Sequence, residues 1–464
     1  MSTKMSKKSK TIIAAFGVLL LLSLAYYGST VWTKGKDQEA SQSYTPSLTL
    51  GNLENVELVK IEVSDLTLES DNGIWKLTSL YGKEAPAGIT LDQNIINNFT
   101  WYLTSVWIEH IVEEKPEDLG IYGLDNPFAR TVITNSSGEQ TEYILGNMTP
   151  SRTSYYIMEA GDPKIYSVSA FLAESLCFSL DDIRQRSISP SFQLYGLESI
   201  TIESPASLIE IAVKPDNAGA YLSTIFSGFI ITSPYRLPRG VQMEPLSRLL
   251  TPLNNLRIEY FIDDDPLSLA PYGLDKPVKF SLKAGYNIFE LLIGNEVQGM
   301  HFAKLPNAPG VFTLFGMESI INIKPFDLIE KFPLLVNISL VDHLEVRGGE
   351  KHLSLDFIRQ SDNEEFFLNG KKVQDRSFRS LYEAIVGLLS EAEYQGAPIP
   401  DQNRDGSITI EYTLNTPPGE KLSLTLIPYN RDFYAILQEG TTEFLISREE
   451  VNKIFTRAEA AVYE

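Results

Sequence analysis

A twelve-residue signature occurs twice in this chain, 150 positions apart: Pro116, Leu119, Tyr122, Gly123, Leu124, Asp125 and Pro127 return as Pro266, Leu269, Tyr272, Gly273, Leu274, Asp275 and Pro277. Self-similarity at a fixed spacing marks a copied supersecondary unit, so the chain is an array before any of its residues is a site. Position by position the signature predicts a connection. Pro116 suits the first turn of a short helix and Gly120 its end. Gly123 permits a positive φ, Asp125 can accept from nearby backbone amides, and Pro127 holds Asn126 extended ahead of a strand. Tyr122 and Tyr272 are expected to pack over the turn, with contact to a ligand as the alternative.

The surroundings of the signature repeat as well. In the first copy, 56–63 (VELVKIEV) alternates as a half-buried strand, and Asn72-Gly73 is a hairpin signal ahead of Trp75. Residues 91–103 carry apolar side chains at helical spacing behind a capping Asp92. Strands are predicted at 129–134, 141–145, 154–159 and 164–167, and a closing helix from Ala170. The second copy has counterparts, among them a helix at 244–256 and a closing helix at 325–332. A third copy, from 340, keeps the order, with Asn369-Gly370 as its hairpin, helices at 376–392 and from Ser447, but no Tyr-Gly-Leu-Asp motif. The expected class is α+β: three tandem units at 48–189, 190–338 and 339–464, each an antiparallel sheet with helices packed on one face.

Ahead of the array, residues 11–32 hold no charge, and 22 residues at about 1.5 Å each span a hydrocarbon core of roughly 30 Å. Lys4, Lys7, Lys8 and Lys10 precede this stretch, while Tyr26, Tyr27 and Trp32 stand at its far end. The expectation is a cytoplasmic tail at 1–10, a single transmembrane anchor at 11–33 and a polar linker at 34–47, with everything beyond outside the cytoplasm. Cleavage after Ala25 is the alternative, and it leaves the bulk of the protein on the same side.

The formal net charge is −21, and setting aside the four leading lysines leaves −25 on the rest. Acidity on that scale repels phosphate backbones, so no nucleic-acid partner is expected. Cys177 is the only cysteine, which excludes an intrachain disulfide framework and any multi-cysteine metal or redox motif. Its apolar surroundings predict a buried small hydrophobe.

Residues 73–77 (GIWKL), the 119–127 motif, the Leu145-Gly146-Asn147 turn and Lys164-Ile165-Tyr166-Ser167, after one N-terminal anchor, resemble the bacterial domain-of-unknown-function 4340 family. The resemblance covers 50–185 well, 195–335 with more divergence and 340–464 in outline. It implies membrane-anchored extracytoplasmic proteins, frequently encoded beside ABC-transporter components, including those linked to gliding motility. It supplies no catalytic residues.

The strongest chemical pattern is 401–408 (DQNRDGSI), where Asp401, Asn403 and Asp405 offer oxygens at the first, third and fifth places of a calcium loop and Gly406 fills the sixth. Position twelve is Tyr412, not the bidentate carboxylate, and a plain polar turn is the expected role. His343 and His352 could face each other across a hairpin, too few ligands for a metal site. No nucleophile elbow and no glycine-rich phosphate loop is present. These readings predict no cofactor and no enzyme. They predict a membrane-anchored accessory or scaffold protein of a membrane assembly, with an ABC-type permease as partner. The alternative is an extracytoplasmic module that binds a glycan or small ligand.

Overall fold

A computed structural model describes residues 49–464 apart from 52, 54–55, 192–195, 217–218, 361–362, 397–400, 402–403 and 417–418. The tail, anchor and linker expected at 1–47 lie outside the described residues, and so does Asn403. Among the described residues, no helix is long and apolar enough to cross a membrane.

The first repeat contains β1 (Thr49–Leu50), β2 (Leu58–Val63), β3 (Leu66–Asp71), β4 (Ile74–Leu80), β5 (Lys83–Glu84), β6 (Val106–Trp107), β7 (His110–Glu113), β8 (Ala129–Asn135), β9 (Gln140–Met148), β10 (Ser154–Glu159) and β11 (Ile165–Ser169). Its helices are α1 (Gln93–Thr104), α2 (Ala170–Ser175) and α3 (Leu180–Ile183). The second holds β12 (Ser199–Glu203), β13 (Leu208–Val213), β14 (Phe229–Ser233), β15 (Arg239–Gly240), β16 (Phe261–Asp263), β17 (Val278–Ala284), β18 (Asn287–Val297), β19 (Met300–Lys304) and β20 (Val311–Leu314). With them go α4 (Ala220–Ser223), α5 (Met243–Leu250), α6 (Glu318–Ile321) and α7 (Pro325–Leu328). The third holds β21 (Val341–Gly348), β22 (Lys351–Gln360), β23 (Asn363–Leu368), β24 (Lys371–Lys372), β25 (Ala392–Glu393), β26 (Ile408–Leu414), β27 (Lys421–Pro428), β28 (Phe433–Gln438) and β29 (Thr441–Ser447), with α8 (Asp375–Val386) and α9 (Arg448–Glu459).

Each repeat builds one nine-stranded antiparallel sheet, and the three sheets share one order: β5-β4-β3-β2-β8-β9-β10-β11-β7, then β15-β14-β13-β12-β17-β18-β19-β20-β16, then β24-β23-β22-β21-β26-β27-β28-β29-β25. The third copy, which lacks the signature, thus has the same topology. The class is α+β with strands dominant. A meander runs outward to one edge, a helix carries the chain to the opposite edge strand, and a crossing returns it to the centre for a second meander.

Local chemistry explains the turns. Asn72-Gly73 and Asn369-Gly370 take positive φ at both positions, 52° and 79°, then 51° and 74°, as a two-residue hairpin with the right twist requires. Asp92 caps α1 by accepting from Asn94 N and Ile95 N. Next to it, the Gln93 amide brackets Trp75, accepting from its N–H at 2.8 Å and donating to its carbonyl at 3.0 Å. Residues 66–71 form a strand of their own, turned at Ser64 (φ 49°). Some helix boundaries need correction. The helix expected over 244–256 stops at Leu250 and continues as a 3-10 turn through Asn255, because Pro252 removes an amide donor. The helix expected at 325–332 ends at Leu328, and the one at 376–392 ends at Val386.

The chain divides into two compact units: one ends at Ala85 and resumes over Thr90–Arg184, and the other comprises Pro86–Ile89 and Gln185–Glu464. In the second unit one continuous buried cluster runs from Leu197 through Phe280 and Val341 to Ala458, so the second and third repeats share a core. A buried polar staple joins these two repeats. Arg239, 5% exposed, reaches Gln438 Oε1 at 2.9 Å and Glu443 at 3.1 Å and lies over the Phe444 ring. Tyr235 donates to Glu393 at 2.7 Å beside it.

Candidate binding groove

The signature lies on the crossing from the edge strand back to the middle of the sheet. Gly120–Tyr122 forms a 3-10 turn that Gly123 ends at φ 68°, and Ala270–Tyr272 one that Gly273 ends at φ 69°. Gly120 therefore starts the turn it was expected to end. Gly123 N donates to Gly120 O and Leu124 N to Leu119 O, both at 3.0 Å, the paired bonds of a Schellman stop; Gly273 and Leu274 repeat them at 3.1 Å. The apolar contact that accompanies such a stop is present too, since Leu124 sits in a buried cluster with Ile144 and Ile165, and Leu119 packs against it.

What the crossing rests on is a Gly-Asn pair within the next meander: where a turn was expected at Leu145-Gly146-Asn147, Gly146 and Asn147 lie inside β9, and Gly294 and Asn295 lie inside β18. A Cβ on Gly146 would lie 2.3 Å from Tyr122 O, and one on Gly123 would lie 2.4 Å from the Asn147 side chain. Gly294 and Gly273 meet Tyr272 O and Asn295 at 2.1 and 2.3 Å in the same way. The Tyr122 hydroxyl donates to Glu113 at 2.7 Å and its ring meets Tyr156 edge-on; Tyr272 donates to Asp263 at 3.0 Å and meets Phe302. These carboxylates raise both phenols above the ordinary tyrosine value. Asp125 accepts from Asn126 N at 2.8 Å. Pro127 and Pro277 precede the strands β8 and β17.

In the third repeat other residues span the same crossing. Arg404 donates to Pro428 O at 2.8 Å, and Tyr394 meets Tyr429 edge-on, next to the end of β27 where Gly146 and Gly294 stand in the other copies. Arg404 N bonds Asp401 O, and Ser407 N bonds Arg404 O, with Gly406 at φ 82°. Asp401 and Asp405 thus belong to a turn, and among the described residues no group of three or more His, Cys, Asp or Glu could hold a metal ion. His343 and His352 are not opposed. His343 pairs across the ladder with Asp356, at 2.7 Å from its carboxylate, and His352 reaches Glu345 at 2.6 Å.

The open surface of the repeat lies elsewhere, between the first helix and the closing helices. In the first repeat the closing helix is broken at 176–179: α2 stops, and Ser179 caps α3 through a box with Asp182. The break lays Phe178 on Phe99 of α1, centroids 4.5 Å apart, and leaves Phe171, 65% exposed, over Tyr102. A groove of about 610 Å³ opens between these rings, with Cys177 in its wall and Glu174 and Asp182 among its lining residues. Burial first, then Glu174 and Asp182, push the Cys177 thiol up. Cys177 is thus half-buried and lines a groove, where full burial was expected.

The second repeat has a groove of about 550 Å³ at the corresponding place, between α5 and the pair α6 and α7, broken before Pro325. Its lining holds no aromatic ring and carries charges of both signs, with Glu244, Arg248, Glu318, Asp327 and Lys331 beside the apolar Pro245, Leu249 and Ile323. Burial lowers the Lys331 ammonium to about 8. In the third repeat α9 is unbroken, and its Val451, Ile454, Phe455 and Ala458 are buried while α8 buries Phe378, Leu381, Tyr382 and Ile385. The sequence offered no motif for these grooves. The only signal was the difference between an unbroken closing helix and one interrupted by Leu176–Ser179.

No curated protein and no solved structure matches this chain. A family model described as Domain of unknown function (DUF4340) matches residues 75–223 and again 230–397. Both matches begin in the third strand of a repeat's first meander, at Trp75 in β4 and Ile230 in β14, and each includes one copy of the signature crossing. Together they cover more than half of the sequence, and the chain belongs to the DUF4340 family.

Proposed function

We propose that this protein is a non-catalytic, membrane-anchored, extracytoplasmic accessory or scaffold subunit of a membrane assembly, with an ABC-type transporter as its associate. The observation that carries the reading is one groove position with two linings, aromatic and acidic in the first repeat, without aromatics and with charges of both signs in the second. A copied frame that keeps its internal contacts and varies its surface is what presentation of several partner-binding faces calls for. The recurring residues support this, because Tyr122, Gly123, Tyr272 and Gly273 are taken up in docking the crossing. The uncharged stretch at 11–32 behind four lysines supports attachment with the array outside.

The test is purification of the full chain at native level from its own membranes in mild detergent. Integral membrane proteins should accompany it in fixed ratio, and recovery of the free chain alone counts against the reading. A second reading, a module for a glycan or small ligand, is favoured by the polar lining around Arg248 and Asn322. Thermal-shift screening separates the two, since a ligand bound only by the folded state raises the melting temperature.

A further inference from the structure

We infer that the groove of the first repeat is a docking site for a short amphipathic helix of a protein partner, apolar on one face and flanked by lysine or arginine. The inference rests on the scaffold reading above and names the partner chemistry of one of its faces. Three observations lead to it. The floor is apolar and aromatic: Phe99 and Phe178 are stacked, Tyr102 lies beneath Phe171, and Phe171 stands 65% exposed with its ring free to take a further contact. An exposed aromatic beside a preformed apolar cleft is the anchor pattern of helix-in-groove recognition, which takes side chains at i, i+3 or i+4 and i+7.

The charged groups among the lining residues are all acidic. Glu174 and Asp182 stand there without a lysine or arginine, so a cationic flank is matched and an anionic one repelled. The occupant's form comes from the third repeat. There the closing helix runs unbroken for twelve residues and buries an apolar face, with Val451, Ile454 and Phe455, where the first repeat has two short helices with the groove beside them. The frame thus packs a helix against its first helix, and in the first repeat, where Leu176 and Phe178 of the break are themselves buried, a groove is left beside α1.

Cys177 supplies a reporter, because it is the only cysteine of the chain and lines the groove. The experiment measures its alkylation by N-ethylmaleimide in the purified full chain, read by intact mass. The probes are a 14-residue amphipathic peptide of leucine and lysine and a counterpart with glutamate for lysine. Saturating Leu/Lys peptide should slow alkylation at least fivefold, and the Leu/Glu peptide should leave it unchanged. Phe171→Ala and Glu174→Lys, both at exposed positions, should each raise the concentration needed about tenfold with the melting temperature retained. Glu296→Lys, an exposed change in the second repeat, should not alter it.

Equal protection by both peptides, or protection that survives Phe171→Ala and Glu174→Lys, would overturn the assignment. Protection by phosphatidylcholine and phosphatidylglycerol vesicles without peptide would overturn it in favour of lipid. Failure here beside intact co-purification removes the groove assignment alone. Loss of co-purification beside intact peptide protection removes the scaffold reading alone.

Discussion

At the scale of single residues, the signature glycines carry the fold of the crossing, and two separate constraints act on them. Gly123 needs a left-handed backbone, at φ 68°, and also the absence of a Cβ, which would meet Asn147 at 2.4 Å. Gly138 has the first constraint without the second, since its φ is 87° and nothing lies within 4 Å of a built Cβ. Gly138→Ala should therefore cost only the left-handed penalty of about 1–2 kcal/mol, and Gly123→Ala should exceed it by a further 1–3 kcal/mol or so for overpacking. Denaturant titration of the two variants measures the difference, and equal costs would show that the Gly-Asn segment of β9 yields freely. The sequence disclosed the need for a positive φ at Gly123. It could not disclose the close approach of Gly146, twenty-three positions on, because that depends on which hairpin the crossing passes over.

At the scale of elements, what was legible is what local chemistry decides alone. The Asn-Gly hairpins and the Asp92 cap stand where their side chains predict. Boundaries that depend on packing were less legible: Ser105–Val112 looks like one extended run, yet β6 pairs with β1 while β7 joins the far edge of the sheet. Residues 143–146 and 165–168 are buried on both sheet faces, so alternation is lost there and with it the clearest strand signal. The Gln93 amide bracketing Trp75 has no sequence signature either. Removing it in Gln93→Ala leaves a part-buried N–H and carbonyl unmatched, at a cost of about 1–3 kcal/mol. Asp92→Ala should cost about 0.5–2 kcal/mol from the lost cap. Hydrogen exchange at Trp75 tells them apart, since only the first change should accelerate it strongly.

At the scale of the whole molecule, the joining of the second and third repeats was invisible in the sequence, because Arg239 and Glu443 are 204 positions apart. Their side chains are 6% and 11% exposed, so truncating one strands a buried charge. Arg239→Ala should destabilise the second unit by about 3–5 kcal/mol. Exchange protection in β2 and β8 of the first unit should be retained. The same region has a pH signature. Lys331, held at about 8 by burial, loses its proton in the folded chain while an unfolded lysine keeps it to 10.5. Between those values unfolding takes up a proton, so raising the pH favours the folded state. Wild type should therefore gain stability relative to Lys331→Met as the pH rises from about 8 toward 10.5, and parallel curves would refute the shifted lysine.

Three copies of one nine-stranded frame, with their recurring residues spent on holding the chain crossing, fit a protein whose work is contact. The most direct measurement of that claim is native mass spectrometry of the full chain released from its own membrane in mild detergent. The account predicts a species heavier than the chain by one or more integral membrane polypeptides, in constant stoichiometry. A spectrum holding only the chain's own mass, from membranes where its neighbours are intact, would contradict it.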